Sequence, residues 1–78
     1  MIIIFILFRG GMIMTVFFTN NKIKKEIGTG ESIQECHNII SQFLKERNYK
    51  SYYWRIAKYT DHEWIDVGSY TEFFEVWW

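Results

Sequence analysis

The sequence predicts a small α+β domain: one helix packed on one face of an antiparallel sheet of three to five strands, in the order β(β)αβββ. Three observations carry the prediction. Residues 49 to 78 hold all four tryptophans and all five tyrosines of the 78-residue chain, and aromatic and β-branched residues at that density favour pleated, half-buried surfaces. Residues 33 to 47 repeat their apolar positions at helical spacing and open on a capping signal. The single cysteine, Cys36, cannot form an internal disulfide. A domain this short must then draw its stability from large apolar side chains.

The first eight residues, Met1 to Phe8, are all apolar. The run is too short to cross a membrane as a helix and has neither the basic start nor the cleavage site of a signal peptide. Arg9-Gly10-Gly11 can be encoded as a ribosome-binding sequence, and Met12 and Met14 follow at once. The expectation is therefore that residues 1–13 are translated upstream DNA and that residues 14–78 form the domain. Abundant Ile, Lys, Phe and Tyr, with one Ala and no Pro, point the same way to an A/T-rich coding source.

Met14 to Thr19 reads as a strand with Val16 and Phe18 on one face and Thr15, Phe17 and Thr19 on the other. Asn20-Asn21 is turn chemistry, and Lys22 to Ile27 returns as a second strand whose lysines suit a sheet edge. Gly28-Thr29-Gly30 reads as a break. Ser32-Ile33-Gln34-Glu35 matches a capping box. The helix from Ile33 to Arg47 carries Ile33, Cys36, Ile40, Phe43 and Leu44 on one stripe, with Ile39 at its margin. Asn48 suits its close.

Tyr52 to Tyr59 reads as the next strand. Tyr52, Trp54, Ile56 and Lys58 share one face, Trp54 and Ile56 being assigned to the core; Tyr53, Arg55, Ala57 and Tyr59 share the other. Thr60 to Glu63 is a turn of hairpin length. Trp64 to Val67 follows with Ile65 and Val67 inward. Gly68-Ser69 ends it, Tyr70-Thr71-Glu72 turns the chain, and Phe73 to Trp78 closes the sheet with Phe74, Val76 and Trp78 inward.

Motifs for chemistry are weak. Gly28-Thr29-Gly30 completes neither the dinucleotide fingerprint nor the P-loop. Cys36 and His37 are adjacent on a helix and diverge by about 100°; with His62 they make no metal-ligand spacing. Cys36 reads as a core residue. Asp66 and Glu75 fall close enough across the last hairpin to be weighed as paired carboxylates, but so short a domain has little room for a cleft. No enzyme activity, cofactor or metal is expected.

What stands out is the aromatic surplus. One helix shelters one face of a sheet, which leaves Tyr53, Tyr59, Trp64, Phe73 and Trp77 on the other, with Arg55, Asp66 and Glu75 among them. Exposed aromatic patches mark interaction surfaces, and Trp, Tyr and Arg dominate binding energy. Charge is segregated as well: residues 20 to 58 hold eight bases and four acids, and residues 61 to 78 hold five acids and no base. That asymmetry reads either as ordinary solvated strand faces or as an acidic edge for a basic partner. The patch is alternatively covered by residues 14–27 folding over it, or buries itself in a homodimer. Stacking of single-stranded bases on Tyr53 and Tyr59, with Arg55 and Lys58 beside them, fits less well with a formal net charge of zero.

Lys50-Ser-Tyr-Tyr-Trp-Arg55 and Trp64-Ile-Asp-Val-Gly-Ser-Tyr-Thr-Glu-Phe-Phe74, with Phe43 to Asn48 before them, cover about half of the chain. In these segments the sequence resembles small proteins of uncharacterised activity encoded by phages and prophages of low-GC Gram-positive bacteria. Members of that group begin near the position of Met14. The resemblance implies a cytosolic accessory phage protein and carries over no catalytic residue. The expectation is a non-enzymatic protein of the host-cell cytoplasm, off the membrane, that binds a host or phage protein. The alternatives are a single-stranded nucleic-acid binder and a purely structural homo-oligomer.

Overall fold

Alternation of apolar residues with period two builds the sheet, and one amphipathic helix covers half of one side of it. The computed structural model describes residues 13–49 and 53–78. Nearly all of the proposed upstream stretch, and Tyr52, lie outside the described residues. The elements run β1 (Met14–Asn20), β2 (Ile23–Gly30), α1 (Ile33–Glu46), β3 (Arg55–Lys58), β4 (His62–Asp66) and β5 (Glu72–Trp77). All five strands join one antiparallel sheet in the order β2-β1-β5-β4-β3. The α+β architecture is the one read from the sequence, with the optional second strand present.

The β1–β2 hairpin turns on Asn21 and Lys22, both at positive φ (51° and 73°), one residue later than the Asn20-Asn21 expected. Two successive left-handed residues are what a two-residue hairpin needs to match strand twist. The Asn21 amide donates to the Thr71 carbonyl at 3.2 Å, tying this turn to the loop before β5.

Gly28 and Gly30 do not break the chain; they are the last part of β2, paired to Val16 and Met14. Their role is close approach. A Cβ on Gly28 would sit 3.2 Å from Ile39 Cδ1, and one on Gly30 would sit 3.0 Å from Glu35 Cβ and 3.1 Å from Cys36 Sγ. The missing side chains let α1 lie against the strand.

Ser32 caps α1 by accepting from the Glu35 amide at 3.1 Å. The return contact of the capping box closes one residue early, the Glu31 amide donating to Glu35 Oε1 at 2.7 Å. At the other end Asn48 stands at φ 58°. The amides of Asn48 and Tyr49 donate to the carbonyls of Lys45 and Leu44 at 3.0 and 2.9 Å, which is a Schellman close.

The core is Met14, Val16 and Phe18 of β1, Cys36, Ile40 and Leu44 of α1, Ile65 and Val67, and Phe74 and Val76 of β5. Phe18, Phe43 and Phe74 meet at ring-centroid distances of 4.7 to 5.8 Å. The inward assignments of Ile65, Val67, Phe74 and Val76 hold, and Val16 and Phe18, expected on a common face, share the core side of β1. Two other inward assignments do not hold. Ile56 is on the correct face but 43 % exposed, because α1 packs over β2, β1 and β5 and does not extend to β3. Trp78 lies past the end of β5 and is 44 % exposed, its indole N–H donating to the Thr60 carbonyl at 3.1 Å.

The β3–β4 turn is also tighter than expected. The Tyr59 amide donates to the His62 carbonyl at 2.8 Å, so Thr60 and Asp61 alone reverse the chain and His62 and Glu63 belong to β4. Glu63 thereby lands on the helix side, fully buried, with Oε1 2.9 Å from His37 Nε2 and Oε2 3.5 Å from Lys58 Nζ.

The outer sheet face as a candidate interaction surface

Strand register decides what shares the face opposite α1. Trp64 pairs with Glu75, His62 with Trp77 and Arg55 with Asp66. Phe17 pairs with Glu75 and Thr19 with Phe73. Tyr53 joins Arg55 and Asp66 around a shallow depression of about 310 Å³ that continues to Gly68 and Tyr70. All eight residues singled out in the sequence thus lie on one surface: Tyr53, Arg55, Tyr59, Trp64, Asp66, Phe73, Glu75 and Trp77. No element of the described residues lies over it.

The rings are ordered. Trp77, His62 and Tyr59 stand face to face across β5, β4 and the end of β3: His62 lies 4.1 Å from Trp77 at an interplanar angle of 7°, and 4.7 Å from Tyr59 at 15°. Stacked side chains that rise from a sheet turn their faces to one another and their edges to solvent. A second row sets Trp64 against Phe73 at 5.5 Å and 40°. At the far end Lys24 lies over Phe17 and Trp77, at 4.6 and 5.0 Å from their ring centroids. There Ile13, Thr15, Phe17, Lys24, Trp77 and Trp78 line a second open groove of about 440 Å³.

His62, Phe17 and Lys24 belong to this surface and were not among the residues singled out. Phe17 was already on the correct face by alternation. His62 was hidden by the misplaced turn, although its two-residue offset from Trp64 is the signal that finds it. Lys24 is a neighbour only through tertiary structure.

Charge on the face is balanced. Lys24 Nζ is 2.9 Å from Glu75 Oε1, which also accepts from Trp77 Nε1 at 3.1 Å. Partial burial alone pushes the Glu75 carboxyl up, but the bonds from Lys24 and Trp77 and the lysine charge outweigh it and hold it below the usual value. Asp66 Oδ1 accepts from the Gly68 amide at 2.8 Å, and Oδ2 accepts from Arg55 Nη2 at 2.8 Å. In that order the two bonds hold the Asp66 carboxyl low, and the same pairing raises Arg55.

Of the remaining acids, Glu72 pairs with Arg47 at 3.1 Å and Glu63 with Lys58 at 3.5 Å, while Asp61 and Glu63 lie within hydrogen-bond distance of the His62 and His37 rings at 2.7 and 2.9 Å. The segregation of charge along the sequence therefore does not survive folding. Asp66 and Glu75, weighed as a carboxylate pair, each have their own cation instead.

Among the described residues no three His, Cys, Asp or Glu side chains gather as metal ligands. Cys36 is wholly buried. Desolvation first, then the negative charges of Glu35 and Glu63, push its thiol up, so it is a poor nucleophile in the folded state. No helix among the described residues is long and apolar enough to cross a membrane. Comparison of the chain with protein-family models, curated proteins and solved structures gives no match.

Proposed function

We propose that this chain is a small non-enzymatic accessory protein of phage type, acting in the host-cell cytoplasm, that binds another protein through the outer face of its sheet. The observation that supports this most is the arrangement of aromatics on a face with no described element over it: Trp64, Trp77, Phe73 and Phe17 are half-buried, and Tyr53 and Tyr59 are 52 % and 55 % exposed. Rigid aromatics with little rotamer freedom to lose are the usual anchors of protein contacts.

The stacking speaks to the class of partner. Trp77, His62 and Tyr59 spend most of their ring faces on one another, whereas a single-stranded base needs a free ring face to lie on. Arg55, the nearest cation for a phosphate, is bonded to Asp66. Ring edges and balanced ion pairs suit a protein surface better than a nucleic acid.

The test is pull-down from host lysate with wild-type bait and with a Trp64→Ala/Trp77→Ala bait, the fold of both checked by circular dichroism. The wild type should retain a protein that the double variant loses. A wild-type bait that retains nothing, or a variant that retains the same protein, refutes the reading. Titration with fluorescent oligonucleotides at two salt concentrations tests nucleic acid directly, because such binding weakens as salt rises.

A further inference from the structure

We infer that two copies of this chain pair antiparallel through the edge of β3, over which no described element lies, about a two-fold axis at Ile56, to form one continuous ten-stranded sheet. The sheet has two edges, β2 and β3. The β2 edge is defended in the usual ways. Lys22, in the turn before it, and Lys25 are exposed there, and its register shifts opposite Val16 and Phe17. The β3 edge has no bulge and no proline. Its two cations are drawn back onto β4, Arg55 to Asp66 at 2.8 Å and Lys58 to Glu63 at 3.5 Å.

Ladder geometry says which groups point outward. The Tyr59 amide bonds to His62, and hydrogen-bonded and non-bonded pairs alternate along an antiparallel ladder. Ala57 and Arg55 therefore bond to β4, while the N–H and C=O groups of Ile56 and Lys58 face away from it. A strand of backbone donors and acceptors is what they match.

The sequence of β3 is complementary to itself in this register. Ile56 meets Ile56 of the second copy, and both are 43 % exposed in the monomer. Arg55 meets Ala57 on the outer face. Lys58 meets Trp54 on the helix side, a cation against an indole. No like charges stand opposite one another. The same contact covers a local defect: Glu63 Oε2 is the one buried side-chain polar atom without a hydrogen-bond partner among the described residues, and Lys58, its nearest cation at 3.5 Å, is 72 % exposed. Packing Trp54 of the second copy over Lys58 confines that ammonium to the carboxylate. With so short an edge the pair is of the weak, concentration-dependent class.

This interface touches the aromatic face only along its β3 margin, at Arg55, and leaves Trp64, Phe73 and Trp77 open. The experiment is light scattering of the full chain from about 1 µM to about 1 mM, a span that brackets weak association. The mass should rise from 9.6 kDa toward twice that value. Ile56→Pro should stay monomeric with an unchanged circular dichroism spectrum, since it removes an outward N–H without touching the β4 ladder. Ile56→Lys serves the same purpose if the proline variant does not fold. Ile56→Cys should form a disulfide-linked dimer on mild oxidation, because directly opposed residues in a bonded pair lie within disulfide reach. Trp64→Ala/Trp77→Ala should dimerise like the wild type. A wild type that stays at 9.6 kDa throughout, an Ile56→Lys variant that still dimerises, or a dimer lost in the double tryptophan variant overturns the inference.

Discussion

Gly30→Ala tests how closely α1 is seated on β2. The new Cβ would stand 3.0 Å from Glu35 Cβ, 3.1 Å from Cys36 Sγ and 3.2 Å from the Cys36 backbone nitrogen. All three belong to the first turn of α1, which is held by the Ser32 and Glu35 capping bonds, so none can swing aside. The helix has to move, and overpacking of this kind costs about 1–3 kcal/mol. Replacing glycine restrains the unfolded chain and returns about 0.4–1 kcal/mol. At the middle of both ranges the net loss is about 1.3 kcal/mol, and in a domain of this size each kcal/mol lowers Tm by about 4–8 °C.

Gly28→Ala is the internal control. Its Cβ meets only the side chain of Ile39, at 3.2 Å from Cδ1 and 3.3 Å from Cγ2; Cδ1 can turn about χ2, and Ile39 is only partly buried, so a small shift there costs less than moving the helix backbone. It should cost less than half as much. Urea unfolding and thermal melts followed by circular dichroism measure both. A Gly30→Ala protein as stable as wild type, or a Gly28→Ala protein less stable than Gly30→Ala, would refute the reasoning.

Four further outcomes are expected. Phe74→Ala removes a fully buried ring and should cost about 3–5 kcal/mol, whereas Trp64→Ala on the outer face should cost clearly less; equal losses in urea would mean that the outer face is also core. Ser32→Ala should cost about 1 kcal/mol through loss of the helix cap, read from the same urea curves. Glu75 and Asp66 are held below their ordinary values, so the stability they contribute is complete above the usual carboxylate range and is lost as pH falls through their folded values. The urea midpoint should fall in that acid range, and Lys24→Met should flatten part of the fall while costing under about 1 kcal/mol at neutral pH. Cys36 should resist a thiol reagent in the native state and react at once in denaturant; fast native labelling would contradict its burial.

What the residues determined by themselves was local and periodic. The serine cap, the apolar stripe of α1 and the two-residue alternation of β1, β4 and β5 are written in neighbours within a turn or a strand, where propensity and side-chain direction act directly. That was enough to put Trp64, Asp66, Phe73, Glu75 and Trp77 on one side of the sheet, but not His62, which the misplaced turn hid, nor Lys24. Tertiary structure decided the rest. The glycines of β2 look like a break until a helix is laid across them. Glu63 looks like a turn residue until a two-residue reversal carries it into the core beside His37 and Lys58. The acidic run from Asp61 looks like an electrostatic edge until bases from β2, α1 and β3, together with His62, come to meet it. Each of these depends on strand order and helix placement, and a pairing between distant segments leaves no trace in the residues on either side of it.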